Sequence, residues 1–179
     1  MHLQTERLIL RPAAITDLDA LFRIYGDPAT NTFNPAGPHP DIEHSHRILT
    51  GWLEHRDAHG FGNWAFSLRE TPEQVIGFGG LRIVEYPFGA VNNLGYRFAP
   101  EAWGKGLATE FALAAVEYAF TTLKLDEIVG IVRKNHLASQ KVLLKCGMRL
   151  VREINDVPGR SQVCSIGADV TKRRKKPPA

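Results

Sequence analysis

Residues 92–132 decide the fold of this chain; they begin N-N-L-G-Y-R-F-A-P-E, continue A-W-G-K-G-L-A-T-E-F and end E-I-V-G-I-V. In the first part, Leu94, Tyr96 and Phe98 occupy every second position. This period of two predicts a strand with one buried face. Pro100 should end the strand, because proline has no backbone N–H to give to the ladder. The chain therefore leaves a strand directly before a glycine-rich turn.

The turn is Gly104-Lys105-Gly106, and a helix is predicted to follow it. Residues 127–133 form a continuous apolar run, which is typical of a strand covered on both faces. Strand, turn, helix and strand make one crossover unit, whose return strand should be parallel and right-handed. The helix is predicted from apolar residues at helical spacing, which are Leu107, Phe111, Ala114 and Tyr118.

Residues 104–109 are predicted to bind a phosphate or a diphosphate. The first turn of a helix has backbone N–H groups without intrahelical partners, and the helix dipole adds partial positive charge there. Two glycines let an anion approach closely, and Lys105 adds a cation. The alternative is a turn that only starts the helix. A P-loop is excluded because its motif does not occur, and a dinucleotide fingerprint fails because Thr109 stands at its third small position.

Three motifs together resemble the GNAT superfamily of acyl-CoA-dependent N-acetyltransferases. They are L-G-Y-R-F-A-P-E, W-G-K-G-L-A-T-E-F and A-S-Q-K-V-L-L-K-C-G-M, the last at residues 138–148. The opening T-E-R-L-I-L-R-P-A, at residues 5–13, is similar to the branch that includes the ribosomal-protein acetyltransferases RimJ and RimL. The resemblance covers residues 5–170, and Glu101 departs from the family pattern at the first position of the diphosphate motif.

The resemblance implies an α/β (α+β) fold, in which helices flank a mixed, mostly antiparallel sheet. It also implies acetyl-CoA as cosubstrate and no metal. Backbone groups of Phe98 and Ala99 would contact the pantetheine arm where the strand splays from its parallel neighbour, with a local distortion expected at Gly95. The residues that the resemblance assigns to acetyl-CoA are Phe98, Ala99, Trp103, Gly104, Lys105, Gly106, Leu107, Ala108, Thr109, Asn135, His136 and Ser139.

Acid and base residues are less well defined, because two family positions carry other residues. The tyrosine that often protonates the leaving thiolate is replaced by Leu143, and Ser139 is the substitute that the resemblance suggests. Asn93 stands where the branch often has a glutamate, and an amide cannot take a proton. The proton of the amine must then leave through a water chain, through Glu85 or through a loop histidine. Equally, Ser139 could only support the first turn of its helix.

Length and charge bound the class of protein. At 179 residues we expect one domain, over residues 1–171, followed by a basic tail at 172–179 that should be disordered. The run K-R-R-K-K supplies 5 of the 22 lysines and arginines, which leaves the rest of the chain with 17 cations against 19 acids. The net charge of +3 therefore comes from the tail. A role for the tail in binding RNA is the alternative to a solvated end.

The remaining composition indicates a cytoplasmic chain. No apolar run approaches the roughly 18 residues of a transmembrane helix, and the start lacks a signal pattern. Cys146 and Cys164 fit a reduced chain better than a disulfide framework. His55 and His59 would share one helix face, but no third ligand follows at a suitable spacing, so an exposed polar face is expected. We expect a monomer or homodimer with no membrane or nucleic-acid partner.

Outside the central unit, the pattern predicts further elements. A strand covers residues 6–12, and Thr16 should cap a helix that ends at Gly26. Residues 27–40 form a long loop before a second helix at 41–59, whose core residues are predicted as Ile42, Ile48, Leu49, Trp52 and Leu53. Hairpin strands meet at a turn over residues 71–73, and residues 85–91 form another loop. Asn135 should cap the last helix, which Gly147 ends.

The predicted reaction is transfer of an acetyl group from acetyl-CoA to a primary amine, by direct attack in a ternary complex. The acceptor is a protein or peptide N-terminus, a polyamine, an antibiotic or another small amine, and the pattern does not choose among them. Because the usual acid and base positions are vacant, a non-catalytic acyl-CoA-binding regulator is the alternative.

Overall fold

The computed structural model describes residues 2–156 and 159–168, with side chains at all of these except residues 155, 156, 159 and 160. The helices are α1 Leu18–Tyr25, α2 Ile42–His59, α3 Leu107–Thr121 and α4 Leu137–Lys145. The strands are β1 Leu3–Gln4, β2 Leu8–Pro12, β3 Asn63–Leu68, β4 Thr71–Tyr86, β5 Gly89–Phe98, β6 Glu127–Arg133, β7 Arg149–Asp156 and β8 Gly159–Gly167.

The described strands form a single sheet in the order β1-β2-β3-β4-β5-β6-β8-β7. Every neighbouring pair in it is antiparallel except β5 and β6, which are parallel. A parallel pair needs a crossover connection, and α3 supplies it. The predicted mixed, mostly antiparallel sheet with flanking helices is confirmed.

The central crossover unit follows the sequence pattern closely. Leu94 and Phe98 are buried on β5, and a short 3-10 turn at Pro100–Ala102 separates the strand from the glycine turn. Helix α3 then packs Phe111 against the same core. Because side chains alternate along a strand, the residues between Leu94 and Phe98 divide between the two faces of the sheet.

Each face of the sheet has its own core. The α3 and α4 face contains an aromatic cluster in which Phe66 packs 4.4 Å from Phe111, measured between ring centroids. The α1 and α2 face buries Leu49 and Trp52 against Phe78 of β4. Two buried layers therefore hold β4 and β5 between them, which fixes the strand that carries the candidate site.

Two predicted loops are wrong. The first hairpin turns at residues 69–70 rather than 71–73, and Pro72 lies inside β4. That position is tolerated because the register with β3 is irregular there, which removes the need for a proline donor. Residues 85–91 are mostly strand, since β4 and β5 pair up to Tyr86 and Gly89 and leave only a two-residue turn.

Three local predictions are also corrected. Thr16 is not a cap, because the buried Asp17 carboxylate accepts the Ala14 N–H at 2.8 Å and pairs with Arg11. Asn135 is exposed, and the residue that precedes α4 is His136. Ile42 is an exposed residue at the start of α2, where the helix has not yet reached the core.

Other expectations have a plain outcome. The boundary at residue 171 and the basic tail at 172–179 lie outside the described residues. Cys146 and Cys164 are both buried, and neither forms a disulfide in the described structure. Across residues 2–156 and 159–168, no helix is long and apolar enough to span a membrane.

Candidate active site

A wedge-shaped opening separates β5 from β6. The two strands pair at one position only, Asn93 with Val129. Strand β6 then stays with β8 along its length, so the strands diverge beyond that pair. We call the gap between residues 94–98 and residues 130–133 the β5–β6 cleft. A cleft of this kind leaves backbone donors and acceptors on β5 available to a ligand.

The backbone groups that face this cleft belong to Tyr96 and Phe98. The Ala99 N–H donates to the Ile76 carbonyl of β4 at 2.8 Å. Because successive residues direct their backbone groups to opposite edges of a strand, Phe98 and Tyr96 face the cleft. The predicted distortion at Gly95 is not found between β4 and β5, whose register is continuous. The opening arises because β6 departs.

Phe98 and Ala99 differ in what they can offer a ligand. The Phe98 carbonyl accepts from Trp103 Nε1 at 2.9 Å, which leaves its N–H directed into the cleft. Both backbone groups of Ala99 are engaged, since its carbonyl accepts the Ala102 N–H at 3.0 Å. The prediction for Phe98 therefore has a matching geometry, whereas Ala99 serves to hold the turn.

The glycine turn leaves an open, donor-rich surface. Gly104 and Gly106 have φ values of 72° and 77°, which favour glycine. A Cβ at Gly104 would meet no heavy atom within 4 Å. The first intrahelical bond runs from Glu110 N–H to the Gly106 carbonyl at 3.1 Å. The N–H groups that precede this bond, those of Leu107, Ala108 and Thr109, make the first turn suitable for a diphosphate.

Arg7 is a second cation at this turn, and sequence reasoning missed it. Its guanidinium donates to the Lys105 carbonyl at 2.8 Å and lies 3.6 Å from where a Cβ of Gly106 would be. Arg7 and Lys105 are 98 residues apart. No local pattern around Arg7 signals this contact, since alternation alone predicts only that its side chain points outward.

Glu110 anchors Arg7 and is not a candidate base. Its carboxylate accepts from Arg7 Nε at 2.7 Å and from the Thr5 hydroxyl at 2.5 Å. Burial alone would raise the pKa of Glu110, but the bonds from Thr5 and Arg7 and the charge of Arg7 outweigh it and lower the pKa. A carboxylate held ionised beside a cation keeps that cation in place.

Tyr96 and Ser139 meet across the cleft. The Tyr96 hydroxyl and Ser139 Oγ are 2.9 Å apart, which joins β5 to α4. Burial raises the pKa of Tyr96 to about 12, although the Ser139 bond opposes this shift and Cys146 adds to it. The hydroxyl therefore stays protonated at neutral pH and can donate a hydrogen bond. Sequence reasoning found Ser139 but treated Tyr96 as a packing residue, because its alternation with Leu94 and Phe98 is that of a core strand.

The opposite face of β5 carries Asn93, Gly95 and Arg97. Asn93 Oδ1 is buried without a hydrogen-bond partner in the described structure. Only Asn93 itself lies within 4 Å of a Cβ placed at Gly95, so the space over this glycine is open. The Arg97 guanidinium donates to Asn31 Oδ1 at 2.7 Å and lies 4.2 Å from the ring centre of Tyr25. Burial lowers the pKa of Arg97.

The 27–40 loop brings a histidine to this face and reaches α4. His39 Nδ1 lies 2.7 Å from Ser45 Oγ. Burial first, and then the charges of His44 and Arg97, lower the pKa of His39 to about 4. At the tip of the loop, Phe33 stacks on His136, with ring centroids 4.0 Å apart. The loop therefore covers the cleft from the α1 and α2 side.

Glu85 and Asn135 do not join this cluster. Glu85 is exposed and pairs with Ala90, on the part of the hairpin that extends away from the cleft. At about 3.4 Å per residue, Ala90 lies roughly 20 Å along the strand from Tyr96. Asn135 is exposed before α4, while His136 is held by the Phe33 stack.

The histidine pair of α2 has a structural role. The backbone N–H of Ile83 donates to His55 Nε2 at 3.0 Å, and His55 Nδ1 lies 3.1 Å from the Phe61 carbonyl. His55 is therefore not part of an exposed polar face, and of these two histidines only His59 is exposed. Among the residues that the structure describes, no group of three or more histidine, cysteine, aspartate or glutamate side chains could hold a metal ion.

Comparisons with known proteins agree on one family. A family model described as an acetyltransferase (GNAT) domain matches residues 7–149. An uncharacterized N-acetyltransferase, p20, from Bacillus licheniformis is 29% identical over 162 residues, which are 88% of this chain and 89% of that protein. An acetyltransferase structure from Agrobacterium tumefaciens has a TM-score of 0.79 at 28% identity, and the match covers 93% of this chain and 94% of that one.

Two more distant structures share the fold. The ribosomal-protein-S5-alanine acetyltransferase from Vibrio fischeri has a TM-score of 0.75 at 18% identity, with 94% of this chain and 97% of that one covered. The acetyltransferase AAC(6′)-Ib, solved with paromomycin and acetyl-CoA, has a TM-score of 0.80 at 14% identity, with 97% and 100% covered. With the family match over most of its length, the chain belongs to the GNAT family of acetyl-CoA-dependent acetyltransferases.

Proposed function

We propose that this protein transfers the acetyl group of acetyl-CoA to a primary amine, by direct attack while both substrates are bound. The main support is that an open glycine turn lies next to the β5–β6 cleft. The glycine turn suits the diphosphate of acetyl-CoA, and the cleft suits its pantetheine arm. The motif at residues 5–13 and the likeness to the Vibrio fischeri enzyme support a place in the RimJ and RimL branch.

The residues of the chain that would hold acetyl-CoA form a continuous path. Backbone N–H groups of Leu107, Ala108 and Thr109 face the diphosphate, with Arg7 and Lys105 as flanking cations. The N–H of Phe98 and the backbone of Tyr96 face the arm. His136 borders the same cleft at the start of α4, and Asn135 is exposed beside it.

Arg7→Met is expected to weaken acetyl-CoA binding about tenfold, because it removes a charge-assisted contact and frees the Glu110 carboxylate beside the diphosphate. Titration calorimetry at two salt concentrations measures the effect, which should shrink at high salt. Arg69→Met is the matched control, since Arg69 is exposed next to the same strand but does not touch the turn. Equal affinities for the two variants would remove Arg7 from the site.

Tyr96 and Ser139 are proposed to stabilise the charge that develops at the thioester. Acetyl-CoA supplies the activated acetyl group. A hydroxyl with a pKa of about 12 would protonate a thiolate of ordinary pKa, about 8.5, at a cost of roughly 5 kcal/mol. Full proton transfer from Tyr96 is therefore unfavourable, and hydrogen-bond donation is the role that the geometry supports.

We propose that the acceptor binds at the face of β5 that carries Asn93, Gly95 and Arg97, and we call this face the acceptor side. No strong base lies near it in the described structure. Asn93 cannot take a proton, and a histidine with a pKa of about 4 is a weak base at neutral pH. Amines carry a proton at neutral pH, with ordinary pKa values of about 8 for an α-amine and about 10.4 for a lysine side chain. We infer that the acceptor loses its proton to water before it attacks.

The pH profile of kcat/KM should therefore follow the acceptor. Below the pKa of the acceptor amine, the rate is expected to rise about tenfold per pH unit, because only the neutral amine attacks. An α-amine and an alkyl amine should give profiles displaced by the difference between their pKa values. Initial rates of thiol release between pH 6 and 10 measure this. A shared inflection near neutral pH for both acceptors would instead identify a base on the protein.

An amine panel tests the proposal itself. Peptides with different first residues, polyamines, aminoglycosides and small amines are each incubated with acetyl-CoA, and thiol release is followed with and without acceptor. Turnover with an amine is the expected result. A non-catalytic regulator, the alternative favoured by Asn93 and Leu143, would bind CoA and release no thiol with any acceptor.

A further inference from the structure

The acceptor side of β5 is positively charged. Arg82 and Arg97 both lie on the face that packs against α1 and α2, where Arg82 lies 6.0 Å from the Trp52 ring centre. Burial raises the pKa of the Tyr25 hydroxyl, and the charges of Arg97 and Arg82 oppose this rise from the same face. A pair of cations in one partly buried face is costly unless an anion accompanies them.

No anion within the described residues accompanies Arg97. Its contacts are the neutral Asn31 amide oxygen and the face of the Tyr25 ring. The carboxylates of the same region are engaged elsewhere. Asp17 pairs with Arg11, Asp27 accepts the Ala29 N–H, and Asp41 accepts the His44 N–H.

Two features place Arg97 beside a space for a ligand. Gly95 leaves the strand open between Asn93 and Arg97. Asn93 borders this space through its Nδ2, which lies 3.5 Å from a Cβ placed at Gly95, while its Oδ1 is a buried acceptor without a partner in the described structure. An unsatisfied buried oxygen costs free energy, and an Asn93 amide turned over about its Cβ–Cγ bond would bring Oδ1 to this space, where an N–H of a bound amine satisfies it.

We infer that the amine acceptor carries a carboxylate, which the Arg97 guanidinium binds, while Asn93 Oδ1 accepts an N–H of the reacting amine. This inference rests on the proposed function and names its substrate class: a small amino acid or a short peptide with an acidic group near its free amine. A carboxylate matches the fork of a guanidinium, and the pair satisfies a cation that has only one neutral acceptor.

The same charges disfavour the other acceptor classes. A polyamine or an aminoglycoside would bring several positive charges to a face that already holds Arg82 and Arg97. Like charges at close range oppose binding, and the nearby Asp17, Asp27 and Asp41 carboxylates already hold other partners. The likeness to an aminoglycoside acetyltransferase at 14% identity therefore extends to the fold alone.

Matched acceptors that keep the same α-amine test the inference. The pairs are glutamyl and glutaminyl dipeptide amides, aspartyl and asparaginyl dipeptide amides, and Gly-Gly as the free acid and as the amide. Calorimetry measures their binding to the CoA-loaded protein, and thiol release measures turnover with acetyl-CoA. At least one acid should bind and react about tenfold better than its uncharged partner, and spermidine should compete poorly.

Arg97→Gln should remove this preference and leave the affinity for CoA unchanged, whereas Arg69→Gln, at an exposed turn, should keep it. Because binding is compared on the unaltered protein, a variant that fails to fold does not affect the outcome. Equal binding of acid and uncharged partner in all three pairs would overturn the inference, as would tighter binding of spermidine. Acetylation of amines without any preference for acids overturns the inference and leaves the proposed function standing. Acid-selective binding without turnover supports it and overturns the proposed function.

Discussion

Gly104→Glu and Gly106→Glu are each expected to lower the affinity for acetyl-CoA at least about 100-fold, or roughly 2.7 kcal/mol. Both glycines have positive φ, and both lie at the exposed turn that precedes the free N–H groups of α3. A glutamate would put a negative charge in front of donors that suit a diphosphate, and would fill the space through which the anion approaches. Calorimetric titration with CoA measures the loss.

Gly60→Glu is the matched control for the backbone. Gly60 has a φ of 76° and no heavy atom within 4 Å of an added Cβ, so it reproduces the strain and the open space of Gly104. It ends α2, away from the cleft. If all three variants bind CoA equally well, or if Gly104→Glu and Gly106→Glu both bind normally, residues 104–109 are not the diphosphate site.

Tyr96→Phe is expected to lower kcat about 100-fold with little change in CoA affinity. The substitution removes the hydroxyl that faces Ser139 but keeps the ring, which packs on Phe98 and Phe111. Loss of one preorganised donor at the place where charge develops has an effect of this size. Steady-state kinetics with a saturating acceptor, together with CoA titration, separates a catalytic loss from a binding loss.

Ser139→Ala is the partner experiment. If the two hydroxyls act as one unit, the double variant should lose little more than Tyr96→Phe alone. Tyr118→Phe is the control, because Tyr118 packs in the same core through α3 without reaching Ser139. Nearly full activity of Tyr96→Phe would show that the Tyr96 hydroxyl only fastens α4 to β5.

The fold was largely predictable because its central unit is encoded locally. Alternating apolar residues predicted β5, two glycines predicted the turn, where both have positive φ, and a continuous apolar run predicted β6. Loop predictions failed where pairing overrode composition: Pro72 looked like a turn residue, yet an irregular register lets it sit within β4. Likewise the 85–91 segment contains turn-forming residues, but most of it is paired within the β4–β5 hairpin.

The candidate site was predictable only where it follows the chain. The glycine turn is contiguous, so its motif is visible. The contact of Arg7 with Glu110 joins residues 103 positions apart, and that of Tyr96 with Ser139 joins residues 43 positions apart. Neither pair has a local signature, because each contact depends on how two elements pack. Glu85 shows the converse: it is near β5 in sequence but lies on the far part of the hairpin.

The splayed edge of β5 has an implication for how such an enzyme diverges. Every amino acid except proline has a backbone N–H group, so binding of a thioester carrier can persist while the side chains at these positions change. Recognition of the second substrate depends instead on individual side chains such as Arg97. New specificities can therefore arise by a few exchanges on one side of a strand, and the carrier chemistry on its edge need not change.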